Sequence, residues 1–336
     1  MKICVVGAGA IGGFMGVRLA QQNHEVSLIA RGPHLAAIQK NGLKLIQDGE
    51  EIIARNVTAT DNISDLGVQD VVLLALKSHQ IASVMDKLPV LIGPDTVMVT
   101  LQNGIPWWYF QKLSGKYENR TVEIVDPGGK LANGLNPDCL LGCIAYPAAV
   151  ISEPGVIQHV EGVRFPLGEL DGSVSERATR VSEAFIDAGF KAPVLEDIRS
   201  EIWLKLWGNL TFNPISAMTH STLEAICQFP LTRELAATMM TEAKEVAEEL
   251  GASFRVSLER RIEGAEKVGK HKTSMLQDVE AGKPLEIDGM LGVVIELAAM
   301  TGTEIPTLKA VYACVSLLNH TMAEQGLLVK GQPLDS

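Results

Sequence analysis

The sequence of 336 residues lacks any apolar run that reaches the ~18 residues needed to span a membrane. It also lacks a surplus of basic residues, because its formal net charge is −11. This balance argues against nucleic acid and against an anionic membrane as partners, while a local basic site could still bind a small anion. We therefore expect a soluble protein that acts on small molecules.

Cysteine is scarce, and the five cysteines are scattered at positions 4, 139, 143, 227 and 314. An odd number cannot all pair within one chain, and Cys139 and Cys143 have no second pair with which to hold zinc. We expect free thiols in a reducing cytoplasm and no metal site. Strand-like sequence starts directly after Met1, so we also expect no signal peptide.

The first recognisable motif of the sequence is a βαβ pattern over residues 2–31. A strand-like run, Lys2–Val6, is followed by a glycine-rich turn, then by apolar residues at helical spacing, and then by a second strand-like run, Glu25–Ile29. The turn consists of Gly7, Ala8, Gly9, Ala10, Ile11 and Gly12. The pattern predicts a dinucleotide site, and the alternative is a purely structural glycine turn.

Each glycine of this turn has a separate expected role. Gly7 permits the tight turn, Gly9 lets a pyrophosphate approach the backbone, and Gly12 lets the helix lie close to the strand. The first N–H groups of the helix would then face the phosphates, where the helix dipole favours negative charge.

The absence of an acidic residue after the second strand indicates which dinucleotide binds. NAD-binding proteins usually carry Asp or Glu at the end of the second strand, whereas this chain has none between Val26 and Gln47. Instead the strand runs into Ala30 and Arg31, and a guanidinium there suits a 2′-phosphate. We therefore predict NADP(H); the alternative is that Arg31 is an ordinary exposed arginine.

Further strand and helix patterns complete an α/β domain. Apolar runs at 70–76 and 96–101 predict buried parallel strands whose carboxyl ends carry Lys77 and Asn103. A helix is expected over 80–92. Short strands at 141–145, 156–160 and 164–168 suggest an antiparallel extension of the sheet.

Residues 105–138 read as a helix followed by a long excursion, and we expect residues 110–136 to form a loop that tolerates shortening. Helical patterns dominate from about Arg199 onward. The predicted fold class is therefore α/β, with a Rossmann-type sheet domain over 1–197 followed by an all-helical domain over 198–336.

A polar stripe interrupts an apolar helical stretch in the second half. Lys205, Asn209 and Asn213 are four residues apart, so they share one helix face over roughly 12 Å. Apolar surroundings would lower the pKa of the lysine toward the range useful for a general acid. The alternative is a surface stripe in which Glu201 pairs with Lys205.

A second group lies at Ser274 to Asp278 and Pro284 to Asp288. Pro284 is expected to start a helix, which would place Glu286 in the first turn, where the dipole favours a carboxylate. The alternative is routine capping by an acidic residue.

Taken in order, these motifs resemble the ketopantoate reductases (2-dehydropantoate 2-reductases) over nearly the whole chain. The resemblance implies NADPH-dependent reduction of a 2-keto acid to a 2-hydroxy acid, ketopantoate to pantoate in pantothenate biosynthesis. It also implies an active site in the cleft between a Rossmann domain and a helical domain. The motifs are Gly7–Gly13, Arg31, Leu76–Gln80, Leu101–Gly104, Lys205/Asn209/Asn213/Pro214, Ser274–Asp278 and Glu286–Asp288.

The resemblance also implies roles for the matched residues. Lys205 matches the general acid that protonates the keto oxygen, and Glu286 matches the partner that holds this lysine and the substrate hydroxyl. The matched substrate-binding residues are Asn103, Asn209, Asn213 and Ser274. The matched cofactor-binding residues are Gly7, Ala8, Gly9, Ala10, Ile11, Gly12, Arg31, Lys77 and Asn103, with Asn103 expected between nicotinamide and substrate.

The stretch from Trp107 to Asp138 is longer than is usual in the family, which bears on the substrate. Two other functions therefore stay open: reduction of a different 2-keto acid, and NADPH sensing without turnover. A sensor would not need the residues matched to catalysis and substrate binding in the second half, which are Lys205, Asn209, Asn213, Ser274 and Glu286. The oligomeric state is also open, and a homodimer is one candidate.

Overall fold

The computed structural model describes residues 1–331 and divides into two compact units. The first comprises Met1–Thr121 and Gly128–Ile198, and the second comprises Val122–Pro127 and the chain from Arg199 onward. The chain thus joins the second unit briefly at 122–127 and then returns to the first. The expected division into 1–197 and 198–336 did not include this excursion, because so short a segment has no compositional signature.

The first unit is built on strands with short apolar or alternating sequences. In chain order they are β1 (Lys2–Val6), β2 (Glu25–Ile29), β3 (Leu43–Gln47), β4 (Glu50–Ala54), β5 (Val57–Thr60), β6 (Val71–Leu74), β7 (Val97–Thr100), β8 (Leu140–Cys143), β9 (Ala148–Glu153), β10 (Val156–Glu161) and β11 (Leu167–Gly168).

Within residues 1–331, the main sheet has seven strands in the order β11-β8-β7-β6-β1-β2-β5. All neighbouring pairs from β8 to β5 are parallel, and β11 runs antiparallel to β8. The strands β1, β6, β7 and β8 are almost entirely buried, as a parallel sheet covered on both faces requires. This is the expected Rossmann-type sheet.

The remaining four strands form a separate sheet, in the order β4-β3-β10-β9. β3 pairs with β4 antiparallel and with β10 parallel, while β9 pairs with β10 antiparallel. The expected antiparallel extension of the main sheet is therefore wrong for two of its three strands. β8 continues the parallel order, and β10 belongs to the second sheet, because strand sequence alone does not identify the pairing partner.

Helices of the first unit are α1 (Ala10–Ala20), α2 (Gly32–Asn41), α3 (Ser78–Ile81), α4 (Lys130–Gly134) and α5 (Glu176–Asp187). The expected helix over 80–92 is absent as such: α3 is followed by a 3-10 segment, Met85–Leu91, that contains Pro89. Proline removes a backbone donor and clashes with the preceding turn, which disfavours a regular α-helix.

The expected long excursion over 105–138 is instead a compact irregular segment. Trp107, Trp108, Tyr109 and Phe110 are buried, and the Trp108 indole N–H donates to the Thr100 hydroxyl at 2.9 Å. The tolerance of residues 110–136 to shortening stays a prediction. A deletion there would remove buried side chains, namely Phe110, Val122, Leu131 and Leu135.

The second unit is helical. Its helices are α6 (Ile198–Thr219), α7 (Leu223–Gln228), α8 (Pro230–Glu249), α9 (Leu258–Lys267), α10 (Ser274–Glu280), α11 (Val293–Thr301) and α12 (Pro306–Gln325), with a π-helical turn, Asp288–Gly292, before α11. The Glu296 carboxylate on α11 accepts the backbone N–H groups of Glu123 and Ile124 at 2.7 and 2.9 Å. These bonds attach the excursion at 122–127 to the helical unit. Among the helices of residues 1–331, none combines the length and apolarity that crossing a membrane requires.

Candidate active site and cofactor-binding site

The predicted cofactor residues lie at one edge of the main sheet. Strands β7, β6, β1 and β2 are adjacent and parallel, so their carboxyl ends lie side by side. The glycine turn follows β1, Arg31 follows β2, Lys77 follows β6 and Asn103 follows β7. This is the edge at which open α/β sheets bind their ligands.

The glycine turn has the geometry that its sequence predicts. Gly7 has φ +102°, and a Cβ there would lie 2.7 Å from Leu76 Cδ2. A Cβ on Gly12 would lie 2.2 Å from the Gly7 carbonyl oxygen, so only glycine lets α1 lie this close to β1.

Gly9 differs from its neighbours in the turn. It is the residue that caps the start of α1, and a Cβ built on it meets no atom within 4 Å. The first turn of α1 consists of Ala10, Ile11 and Gly12, whose N–H groups precede the regular helical bonds. The space in front of Gly9 and these uncharged residues fits a pyrophosphate at a helix N-terminus.

Two side chains after β2, Arg31 and His34, lie next to the glycine turn in the sequence order of the strands. Arg31 is exposed and caps the start of α2. His34, in the first turn of α2, contacts the Ala8 carbonyl oxygen through Nε2 at 2.8 Å, and the Gly155 N–H donates to its Nδ1 at 2.9 Å. The sequence analysis did not identify His34, because its partners are backbone atoms, one of them 121 residues away.

Lys77 and Asn103 are both partly exposed. Lys77 precedes α3, and its backbone N–H donates to the Gln80 side chain at 3.2 Å. Next to Asn103, the Gln102 side-chain amide donates to the Leu74 carbonyl oxygen at 2.8 Å, which joins the ends of β6 and β7.

In the second unit, the polar stripe lies on one helix, α6. From Glu201 to Ala217 every residue is buried except Lys205 and Asn209, which are partly exposed. A surface stripe would expose its neighbours as well, so the burial favours the interpretation as a site. In apolar surroundings of this kind a lysine and an amide are costly unless each has a polar partner.

Glu201, which the surface-stripe alternative pairs with Lys205, also binds an arginine of the second unit. Its carboxylate is 1% exposed and binds the Arg255 guanidinium through both oxygens, one of them at 3.1 Å. This fork-to-fork pair satisfies the buried charge within the helical unit.

Asn213 and Ser274 are brought together. The Asn213 side-chain amide lies 3.4 Å from the Ser274 hydroxyl and 3.8 Å from the Met290 sulfur. These contacts link α6 to the start of α10 and to the π-helical turn. Such single π turns often occur at functional sites.

Glu286 is not in the first turn of a helix, so that expectation is wrong. Residues 283–287 are irregular, and the Leu285 N–H donates to the Asn319 side chain at 3.0 Å instead of starting a helix. Helical bonding begins at the Ile287 carbonyl, which accepts from Met290, Leu291 and Gly292. Glu286 itself is partly exposed, just before the π-helical turn.

The π-helical turn is also tied to the last helix. Tyr312 on α12 donates its hydroxyl to the Asp288 carboxylate at 2.7 Å. Burial and this hydrogen bond raise the pKa of Tyr312. Within residues 1–331, no group of three or more His, Cys, Asp or Glu side chains is arranged to hold a metal ion.

Comparison with protein families gives a match over both units. The family described as "Ketopantoate reductase PanE/ApbA" matches residues 3–172, and its "C terminal" counterpart matches residues 197–319. The chain belongs to the ketopantoate reductase family. It is accordingly an oxidoreductase that acts on a CH–OH group with a nicotinamide cofactor.

Individual relatives of this ketopantoate reductase family member align with it over almost its whole length. The 2-dehydropantoate 2-reductase of Mesorhizobium japonicum is 50% identical over 95% of this chain and 98% of its own length. A solved structure from Ralstonia solanacearum, provisionally described as a ketopantoate reductase, is 37% identical with a TM-score of 0.90, over 96% and 98% of the two chains.

A second solved structure extends the fold beyond these reductases. D-mandelate dehydrogenase bound to NADH and anilino(oxo)acetate superposes with a TM-score of 0.81 over 96% of this chain and 99% of its own, at 21% identity. At this identity the likeness shows a shared fold and carries no statement about substrate.

Proposed function

We propose that this family member reduces 2-dehydropantoate (ketopantoate) to pantoate with NADPH. The observation that carries the proposal is the burial of residues 201–217 of α6 around Lys205 and Asn209, the two partly exposed residues of that stretch. A protein that only sensed NADPH would have no use for a lysine held in such a helix.

The first unit fits NADP(H) at the glycine turn and at Arg31. The open space at Gly9 accepts a pyrophosphate, and Arg31 offers a guanidinium where a 2′-phosphate needs one. Lys77 and Asn103 follow the two neighbouring strands at the same edge and are proposed as further cofactor contacts. When bound, a reduced nicotinamide supplies the two-electron reduction of the carbonyl carbon.

Residues of the second unit are proposed to handle the substrate and the proton. Lys205 Nζ gives a proton to the keto oxygen as that oxygen gains negative charge, and the ammonium stabilises the charge until transfer is complete. Glu286 holds the lysine and the substrate hydroxyl. Asn209, Asn213 and Ser274 bind the substrate, and the 3.4 Å contact between Asn213 and Ser274 supports a shared role for these two.

A panel of 2-keto acids tests the substrate. With NADPH in excess, we expect consumption of the reduced nicotinamide with ketopantoate at a kcat/KM well above that for 2-keto acids with an unbranched or aromatic side chain. A preference for another acid would assign the protein to the alternative substrate on the same fold. Binding of NADPH without turnover of any acid would support the sensor. The expected setting is the pantothenate pathway of the cytoplasm.

Cofactor choice is tested at Arg31. Arg31→Ala should weaken NADPH binding about 10- to 100-fold, because a charge-assisted contact contributes about 1.5–3 kcal/mol, and should leave NADH nearly unchanged. The measurement is the dissociation constant of each cofactor by titration calorimetry. Arg180→Ala removes an exposed arginine of α5 and serves as the matched control. Equal losses for NADPH and NADH would contradict a 2′-phosphate contact.

A further inference from the structure

Two backbone groups contact the two ring nitrogens of His34 and select one tautomer of its neutral imidazole. A backbone N–H can only donate, so the Gly155 N–H requires an unprotonated Nδ1. In the neutral ring the proton is then on Nε2, which donates to the Ala8 carbonyl oxygen at 2.8 Å. The imidazole therefore bridges the glycine turn and the turn between β9 and β10.

The bridge fixes the orientation of one peptide group in the glycine turn. The Ala8 N–H is already held by the Ile29 carbonyl oxygen at 2.8 Å. His34 holds the Ala8 C=O, which belongs to the same planar peptide unit as the Gly9 N–H. In a trans peptide these two groups point in opposite directions, so fixing the oxygen also aims the Gly9 N–H away from His34.

The other end of the bridge rests on the second sheet. Gly155 has φ +79°, and its carbonyl oxygen accepts the Lys44 N–H of β3 at 2.9 Å. The same sheet packs against α1, where a Cβ on Gly13 would lie 2.9 Å from Ile157, and the rings of Phe14 and His159 are 4.7 Å apart. The second sheet thus packs against α1 and carries the Gly155 end of the bridge.

We infer that His34 is a positioning residue for the cofactor pyrophosphate: its imidazole, supported by Gly155, sets the direction of the Gly9 N–H at the start of α1. The inference rests on the proposed binding of NADP(H) at this turn. It assigns the second sheet a role in cofactor binding, through a side chain that need not touch the cofactor.

The test compares ligands that do and do not carry a pyrophosphate. NADPH and NADH both have one, whereas 2′-AMP has the 2′-phosphate alone. His34→Leu keeps the bulk and removes both hydrogen bonds, so we expect about a three- to tenfold weaker binding of NADPH and of NADH, the size of one or two lost hydrogen bonds. Binding of 2′-AMP should not change. His34→Gln offers one donor and one acceptor at similar reach and should restore most of the affinity.

Three controls separate the outcomes. His320→Leu replaces an exposed histidine of α12 and should change none of the three affinities. Arg31→Ala should weaken binding of NADPH and 2′-AMP but not of NADH, so it differs from His34→Leu in its effects on 2′-AMP and NADH. Failure of the unaltered protein to bind NADPH would contradict the proposed function itself.

Two results would overturn the role of His34 while leaving the proposed function intact. One is unchanged NADPH and NADH affinity in His34→Leu. The other is an equal loss for NADPH, NADH and 2′-AMP with a lower melting temperature, which would make His34 a purely structural residue. Should His34→Leu be insoluble, His34→Ala in the same three titrations decides between these results.

Discussion

Replacing Lys205 by alanine should lower kcat about 10²- to 10⁴-fold, the usual contribution of a general acid, and leave the dissociation constant of NADPH nearly unchanged. The effect is confined to turnover because the ammonium acts when the keto oxygen gains charge, and the proposed cofactor contacts all belong to the first unit. Steady-state kinetics and NADPH titration measure the two quantities separately.

Two further variants define what Lys205 supplies. Lys205→Arg keeps a positive charge but holds its proton, because the guanidinium pKa is above about 12, so it should remain nearly as slow as Lys205→Ala. Lys309→Ala removes an exposed lysine of α12 and should behave like the unaltered protein. Recovery of turnover by arginine would mean that charge alone is needed, and near-normal turnover in Lys205→Ala would place the proton source elsewhere.

The pH profile gives an independent test of the same residue. A general acid must be protonated to act, so activity of the unaltered protein should fall as pH rises through the lysine pKa. In Lys205→Ala this basic limb should disappear from the residual activity. A limb that persists unchanged would belong to another group.

The second large effect is expected at Gly9 and Gly12, which form a matched pair within one turn. Gly9→Ala places a methyl group in open space at a residue whose backbone is extended, so the fold should lose at most about 1 kcal/mol from the change of helix cap. The methyl group occupies the space proposed for the pyrophosphate. NADPH and NADH should both bind roughly 10- to 100-fold more weakly, as expected for lost charge-assisted contacts.

Gly12→Ala should instead reduce stability. Its methyl group would meet the Gly7 carbonyl oxygen at 2.2 Å and Val5 Cγ1 at 2.9 Å, and overpacking typically costs about 1–3 kcal/mol. Thermal melting without cofactor separates the two variants. If Gly9→Ala melts much lower than the unaltered protein, or binds NADPH normally, the assignment of the pyrophosphate to this turn is incorrect.

The parts of the fold that were predicted from sequence depend on local signals. The glycine turn combines a strand, a turn and a helix within a few residues, and the chemistry of Gly7 and Gly12 is decided by backbone conformation and close packing. Helix α6 was predicted because its apolar residues and its lysine–asparagine spacing extend over many turns. In both places the signal lies within one continuous stretch of sequence, so it can be recognised without knowing what that stretch contacts.

The parts that could not be predicted depend on distant partners. β10 has the sequence of a strand, but nothing local indicates that it pairs with β3 rather than with the main sheet. His34 binds backbone atoms, which have no sequence signature. Trp108 is buried although its segment has no regular helical or strand pattern, and its indole N–H donates to Thr100 of β7. Glu286 was misplaced because Pro284 favours a helix start but does not require one.

The pairing of β3 with β10 has a consequence for how the protein is made. The Gln158 side chain bonds to the Ile46 carbonyl oxygen, 112 residues earlier in the chain. At synthesis rates of about 5–20 residues per second, roughly 6–22 seconds pass between the appearance of the two strands on the ribosome. During that interval the β3 edge of the β3–β4 hairpin lacks the strand with which it pairs in the finished fold, and an unpaired strand edge can accept a strand from another chain. We therefore expect the yield of soluble protein to depend on the speed of translation as well as on the stability of the finished fold.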